Sequence, residues 1–326
     1  MNFRNCIFFL LFLFPAVSSG IRAANYVTVA TIGAVPVLDE HQDPQTLVNQ
    51  VMEFWQKELD QVLPDKPDLI ILPEVCDLSL AGDEYLRVRK NQVRDFFASV
   101  ARNNHCYIAY GTKRQDDDGL WWNSCIMLDR NGGIAGIYDK NYPTIGEMEG
   151  GIKAGKVAPL IQCDFGKVAV AICFDLNFNE LRDHYVEEKP DLIIFSSMYH
   201  GGLVQATWAY ACRSYFVGSV YKGNPSEIRN PVGDVVATST NYFDYAIDRI
   251  NLDVKLVHLD YNWEKLAALK KKYGTAVSIS DPGQVGAVMV ASEDKDITTD
   301  QMIQEFDIEL LDDYFNRAVG YRYVVQ

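Results

Sequence analysis

The string Lys66-Pro67-Asp68-Leu69-Ile70-Ile71 recurs letter for letter as Lys189-Pro190-Asp191-Leu192-Ile193-Ile194, and no other feature constrains the fold as tightly. In each copy a proline stops a helical segment, and an apolar run without alternation follows it. Such a run reads as a strand buried on both faces, which needs a covering layer on each side. Two readings of the echo stay open. It is either a common way of entering a strand from a helix or the mark of two α/β halves related by pseudo-symmetry. Both give a mixed sheet system with helices outside it.

The flanking pattern agrees. Residues 26–32 read as a first strand, and 44–63 as a helix with Leu47, Val51, Phe54, Trp55, Leu59 and Val62 on one stripe. A helix is expected over 84–103, then extended runs over 107–113, 122–129 and 134–139. Asn131-Gly132-Gly133 between the last two tolerates positive φ and predicts a hairpin. Further hairpins are expected at Phe165-Gly166 and Val232-Gly233, and 246–252 reads as the last strand. From Asn262 the pattern loosens into a charged helix over 264–273 and an acidic segment over 294–313. The expected division is a catalytic domain over 25–262 and, over 263–326, an extension packing on that domain or on a partner subunit.

The N-terminus is a separate case. Arg4, an apolar run over 7–14, Pro15 and the small residues that follow predict a secretory signal peptide over 1–24, and so a secreted or periplasmic protein. The run is shorter than the roughly 20 residues of a spanning helix. Its removal leaves Cys76, Cys106, Cys125, Cys163, Cys173 and Cys212, widely spaced and mostly inside apolar runs, where a free thiol is a small hydrophobe. No CxxC is present and the five histidines lack ligand spacing, so no metal and no cofactor is expected. A formal charge of −14 excludes the basic footprint of a nucleic-acid or anionic-membrane binder.

In folds built on buried strands, reactive side chains sit where strands end. Glu74, Lys140 and Cys173 each occupy such a position. A carboxylate, an amine and a thiol suit acyl transfer through a cysteine nucleophile. Taken one at a time, each also reads as a cap, a solvated strand end or core filler.

Together the surrounding blocks resemble the three signatures of the carbon-nitrogen hydrolase, or nitrilase, superfamily. These are Leu72-Pro73-Glu74, then Tyr138-Asp139-Lys140 with Pro143 beyond, then Val170-Ala171-Ile172-Cys173-Phe174-Asp175, in the family's order and 66 and 33 residues apart. The resemblance implies a four-layer α-β-β-α sandwich and an assembly of like subunits. It implies Cys173 as nucleophile, Glu74 as general base and Lys140 as partner of the oxyanion. The family's second glutamate falls on Glu147 or Glu149, and spacing to the next block favours Glu149. Phe174-Asp175 after the nucleophile is similar to the amidase and carbamoylase branches, so a small-molecule amide or N-carbamoyl substrate is expected ahead of a nitrile. Phe174, Tyr199 and His200 are the expected substrate contacts; Trp208 reads as packing, and Arg213 as an ion pair or a carboxylate reader. The competing readings are a silent binding protein on the same scaffold, and a thiol-imidazole hydrolase pairing Cys173 with His184 or His200.

Overall fold

The computed structural model describes residues 23–39, 41–77 and 82–325; the expected signal segment lies almost wholly outside them. Strands β1 (Tyr26–Ile32), β2 (Leu69–Ile71), β3 (Tyr107–Gln115), β4 (Trp121–Leu128) and β5 (Ile134–Asp139) lie in chain order in one sheet. Strands β6 (Ile161–Cys163), β7 (Gly166–Ile172), β8 (Leu192–Ser197), β9 (Tyr215–Val220), β10 (Glu227–Arg229) and β11 (Val235–Thr238) form a second. β12 (Tyr245–Asn251) then returns to the first sheet, antiparallel to β1. Each sheet has a parallel centre, β1-β2-β3 and β7-β8-β9, with antiparallel hairpins outside it.

The two sheets face one another. Val29, Ile71, Ala109 and Met127 of the first share one core with Val168, Val170, Ile194 and Val217 of the second. Polar groups cross this core in pairs: Thr31 Oγ1 donates to the Gly218 carbonyl at 2.9 Å, Ser219 Oγ to Ile32 at 2.7 Å and Ser196 Oγ to Leu72 at 2.8 Å. Buried hydroxyls satisfied in this way fix the register of one sheet on the other.

Helices α1 (Pro44–Val62), α2 (Gly82–Arg89) and α3 (Gln92–Asn104) cover the outer face of the first sheet. Asp43 starts α1 by accepting from the Gln45 and Thr46 amides at 3.1 Å, ahead of Pro44 in the first turn. After β5 comes the single turn α4 (Ile145–Glu149); α5 (Asn179–Glu188) and α6 (Leu203–Cys212) then cover the second sheet. The four-layer α-β-β-α order follows as expected.

The repeated string is where the pseudo-symmetry shows. Lys66 and Lys189 both take left-handed backbone at the end of a helical segment, with φ of 51° and 53°. Asp68 Oδ2 then accepts the Thr28 amide at 2.9 Å, and Asp191 Oδ2 accepts the Lys167 amide at 2.7 Å. Each aspartate thus ties the start of its own strand to the neighbouring parallel strand, in the same way in both halves.

Two expectations need correction. The helix over 84–103 is broken at Lys90, whose φ is +43°, because Arg89 is drawn inward to Asp77 and Thr112. Residues 246–252 are not the last strand. β13 (Val254–His258), counted with the catalytic domain in the sequence, pairs with β15 (Ala287–Ser292), itself paired with β14 (Val277–Ser280). This small sheet packs with α7 (Trp263–Tyr273) and α8 (Thr299–Glu305) around Val257, Leu269, Val290 and Met302, and α9 (Leu311–Val325) follows. Arg213 ties the unit to α6 through Asp312 at 2.8 Å, which settles Arg213 as an ion pair within the chain.

Candidate active site

The C-terminal ends of β2, β5 and β7 converge, and Glu74, Lys140 and Cys173 come together there. Glu74 stands on a tight turn held against β3: the Cys76 amide donates to Gly111 at 2.9 Å, and Trp55 Nε1 to Cys76 at 2.9 Å. Gly111 is required by that approach, since a Cβ there would lie 2.6 Å from the Glu74 Cα. Lys140 is pinned through its backbone, its amide donating to Asn123 and its carbonyl accepting from Gly155, each at 2.8 Å.

The charged side chains form a buried cluster. Lys140 Nζ donates to Glu74 Oε1 at 2.9 Å and to Glu147 Oε2 at 2.8 Å, with Lys140 1% exposed and Glu74 3%. Asn123 Nδ2 bridges the same two carboxylates, at 2.8 Å to Glu74 and 2.7 Å to Glu147. The Met198 amide donates to the other Glu74 oxygen at 3.2 Å. Burial alone would depress the Lys140 ammonium, but the two glutamates carry it above its ordinary value. Burial also works against the Glu147 carboxylate; donors from Lys140, Asn123 and Thr144 overcome it and hold its pKa below the ordinary value.

The glutamate that reaches Lys140 is therefore Glu147, not the expected Glu149, which is exposed. The reason is a capping box: Thr144 Oγ1 accepts the Glu147 amide while Glu147 reaches back to the Thr144 amide, turning its carboxylate inward. The Thr-x-x-Glu spacing was visible in the sequence and would have decided between the two. Asn123 was missed; its only signal is a polar side chain within an apolar strand.

Cys173 ends β7 in left-handed backbone, φ +46°, and opens a 3₁₀ turn over Cys173–Asn177. A non-glycine residue is held there only when its surroundings over-determine it. Asp175 supplies that restraint: fully buried, it accepts the Ile172 amide at 2.9 Å, the Tyr138 hydroxyl at 2.8 Å and the Tyr142 amide at 2.8 Å. One carboxylate thus joins the thiol turn to both sides of Lys140. Burial, and then the Glu74 charge, push the Cys173 thiol up to about 11, against the pull of Lys140. The resting sulfur is protonated at neutral pH, and a carboxylate beside it can take that proton.

The expected substrate contacts are placed as follows. Phe174 is 37% exposed and meets Phe178 edge-on, while Phe178 stacks on Tyr142 at 3.8 Å. Tyr199 accepts from Asn177 at 3.0 Å; burial raises its phenol to about 12, with the Asn177 bond pulling it down and the Cys173 charge adding to the rise. His200 Nδ1 accepts the Gly202 amide at 3.1 Å, while its Nε2 lies 3.2 Å from a Glu227 oxygen without a hydrogen bond among the described residues. His184 bonds the Ala158 carbonyl, so neither histidine of the thiol-imidazole alternative is aimed at Cys173. Trp208 is buried packing, as read, and donates to the Leu176 carbonyl. The six cysteines among the described residues are free thiols, five of them buried, and those residues hold no cluster of histidine, cysteine and acidic side chains suited to a metal.

The family model described as carbon-nitrogen hydrolase matches residues 28–233. The probable nitrilase of Schizosaccharomyces pombe is 29% identical over 102 residues, 31% of this chain and 37% of that protein. The omega-amidase NIT2 of Danio rerio is 22% identical over 221 residues, 63% of this chain and 79% of that protein. Among solved structures, a mutant amidase from Nesterenkonia aligns over 77% of this chain and 97% of its own, with 12% identity and a TM-score of 0.56. That structure shows the acetamide moiety of fluoroacetamide added covalently at the active-site cysteine.

Proposed function

The chain belongs to the carbon-nitrogen hydrolase family, hydrolases of carbon–nitrogen bonds other than peptide bonds, and on that premise we propose that it is an amidohydrolase working through a Cys173 thioester. The observation that carries the reading is the buried Lys140 ammonium held between Glu74 and Glu147 beside a thiol on a strained turn. The thiol is too weakly acidic to ionise unaided at neutral pH, so Glu74 takes its proton as sulfur attacks the amide carbon. Negative charge develops on the amide oxygen, and the Lys140 ammonium and the Phe174 amide are the donors that meet it. One such donor is typically worth about 100- to 1000-fold in rate. Glu74 returns the proton to the nitrogen, ammonia or an amine departs, and a water deprotonated by Glu74 hydrolyses the thioester to the acid. Glu147 holds the ammonium in place. The substrate is a small amide or N-carbamoyl compound, a reading supported by Phe174-Asp175 after the nucleophile and by the amidases among the relatives.

The test is ammonia release from a panel of primary amides, N-carbamoyl compounds and nitriles. Cys173→Ala and Glu74→Gln are expected to abolish turnover of whichever compound responds. Brief exposure of the wild type to that substrate should add the acyl mass to Cys173. Full turnover by either variant would sink the mechanism. We also propose that residues 1–24 direct export, on the strength of the apolar run and the small residues behind it. An exported protein whose first residue lies near 25 supports this, and an intact Met1 on it counts against it.

A further inference from the structure

The outer face of the first sheet is only partly roofed. Where α2 and α3 stop short of the β4-β5 hairpin, a groove of about 500 Å³ remains, away from the thiol. Its floor is apolar: Trp121, Ile126, Ile134 and Ile137 from the hairpin, with Tyr110 behind them. Its remaining wall is cationic. Arg87, Arg89, Lys90, Arg94, Lys113 and Arg114 line it against two carboxylates, Asp77 and Asp117. In a chain of 44 acidic and 30 basic residues this is a local reversal of charge.

Some of these cations are committed. Arg89 pairs with Asp77 at 2.6 Å, Arg114 grips Asp139 with both its contacts at 2.9 Å, and Arg94 pairs with its neighbour Asp95. Arg87, Lys90 and Lys113 have no carboxylate partner among the described residues. A second observation lies deeper. Asp77 is 2% and Arg89 7% exposed, yet among the described residues neither Asp77 Oδ1 nor Arg89 Nε has a hydrogen-bond partner. Buried polar groups are nearly always satisfied, and both of these belong to residues that line the groove. Arg89 Nε is a donor, and a donor among cations calls for an anion.

We propose that this groove binds a small organic carboxylate, its chain on Trp121, Ile126, Ile134 and Ile137 and its charge toward Arg87, Lys90 and the Arg89 guanidinium. The volume suits such a ligand, and an apolar floor with a few convergent polar groups is the usual make-up of a small-molecule site. An inorganic anion would leave the floor wet, and a neutral alkane would leave the cations without a partner.

Octanoate is the probe, with octan-1-ol and inorganic phosphate as comparisons, each titrated into the full chain by calorimetry. One octanoate per chain is expected. Octanol and phosphate should bind at least about tenfold more weakly, and the octanoate affinity should fall as salt rises. Arg87→Glu combined with Lys90→Glu changes two exposed side chains outside the thiol site, so amide turnover should be unchanged while octanoate affinity drops at least about tenfold. Ile134→Asp tests the floor and should weaken octanoate in the same direction. The proposal is overturned if octanoate does not saturate, if phosphate binds as tightly, or if the doubly reversed variant binds octanoate as well as the wild type does.

Discussion

Cys173 and its two charged neighbours oppose one another: Glu74 raises the thiol pKa and Lys140 lowers it. A thiol displaced to about 11 is a poor resting nucleophile, so Glu74 both disfavours the thiolate and accepts the proton when it leaves. The two roles separate on substitution. Glu74→Gln removes the charge, and the midpoint of Cys173 alkylation against pH should move down by about one unit, a typical size for the loss of one nearby charge. Amide turnover should be lost nonetheless. Lys140→Met should move the midpoint up, and should also destabilise the fold by about 3–5 kcal/mol, because two glutamates are left without their cation. Iodoacetamide rates between pH 7 and the onset of unfolding measure the midpoint. Should it stay fixed in Glu74→Gln, the geometric pairing of carboxylate and thiol has no electrostatic consequence, and the base assignment loses its support. These three residues were legible in the sequence because each ends a strand and its block resembles a known signature. Glu147 was legible only as one of two choices, with the Thr144 capping box as the signal that selects it over Glu149, and Asn123 was not legible, because what selects it is a pairing across two strands rather than a position at a strand end.

The elements around the site are held by one carboxylate. Asp175 accepts from Ile172, Tyr138 and Tyr142, so the β7 turn cannot shift relative to the β5 end without breaking a buried hydrogen bond. Asparagine in its place keeps one acceptor oxygen and turns an amino group toward at least one donor. Asp175→Asn should lower stability by about 1–3 kcal/mol, the penalty of a buried donor left unmade. It should reduce kcat more than it raises KM, because Asp175 orients the reacting groups without touching substrate. A pH signature accompanies this. Burial raises the Asp175 carboxyl from 3.8 to about 6 in the folded protein. Between those values the native state binds more protons than the unfolded chain, so this group makes stability fall as pH rises, opposite to a salt-bridged carboxylate. Urea midpoints measured from pH 4 to 7 should therefore lose part of their slope in Asp175→Asn. A variant with full kcat and an unchanged slope removes Asp175 from the positioning role. The strands and most helices around it were readable from periodicity, but the break at Lys90 was not. The residues of α2 and α3 carry an unbroken helical pattern, and only the inward pull of Asp77 on Arg89 ends it.

Across the whole molecule, the repeated Lys-Pro-Asp string turns from a curiosity of sequence into a structural rule. Both copies place a left-handed lysine after a helical segment, a proline that stops it, and an aspartate that ties a central strand to its parallel neighbour. The sequence left convergence and pseudo-symmetry equally open, because only the hydrogen-bond partners, Thr28 and Lys167, distinguish them, and neither lies within the string. The C-terminal sheet was invisible for the opposite reason. Its strands are short and half exposed, and β13 finds its partner β15 only after α7 and β14 have intervened. The rule is testable because the two aspartates differ in one respect. Among the described residues the Asp191 side chain makes only its backbone hydrogen bond, with Gly166 packed beneath it, where a Cβ would fall 2.7 Å from the carboxylate. Asp68 makes the same contact and also receives Arg130 at 2.9 Å, an arginine that Asp164 shares. A hydrogen bond from a backbone amide to a charged acceptor is worth about 1.5–3 kcal/mol, and a partly exposed ion pair adds about 0–1 kcal/mol. Asp191→Ala should therefore destabilise the protein by about 1.5–3 kcal/mol, and Asp68→Ala by the same amount or up to about 1 kcal/mol more. Asp68→Asn and Asp191→Asn, which retain an acceptor oxygen, should recover part of the loss in both. Equilibrium urea unfolding reads all four. If Asp191→Ala proves as stable as the wild type, the aspartate does not tie the strands, and the two halves share a string without sharing a mechanism.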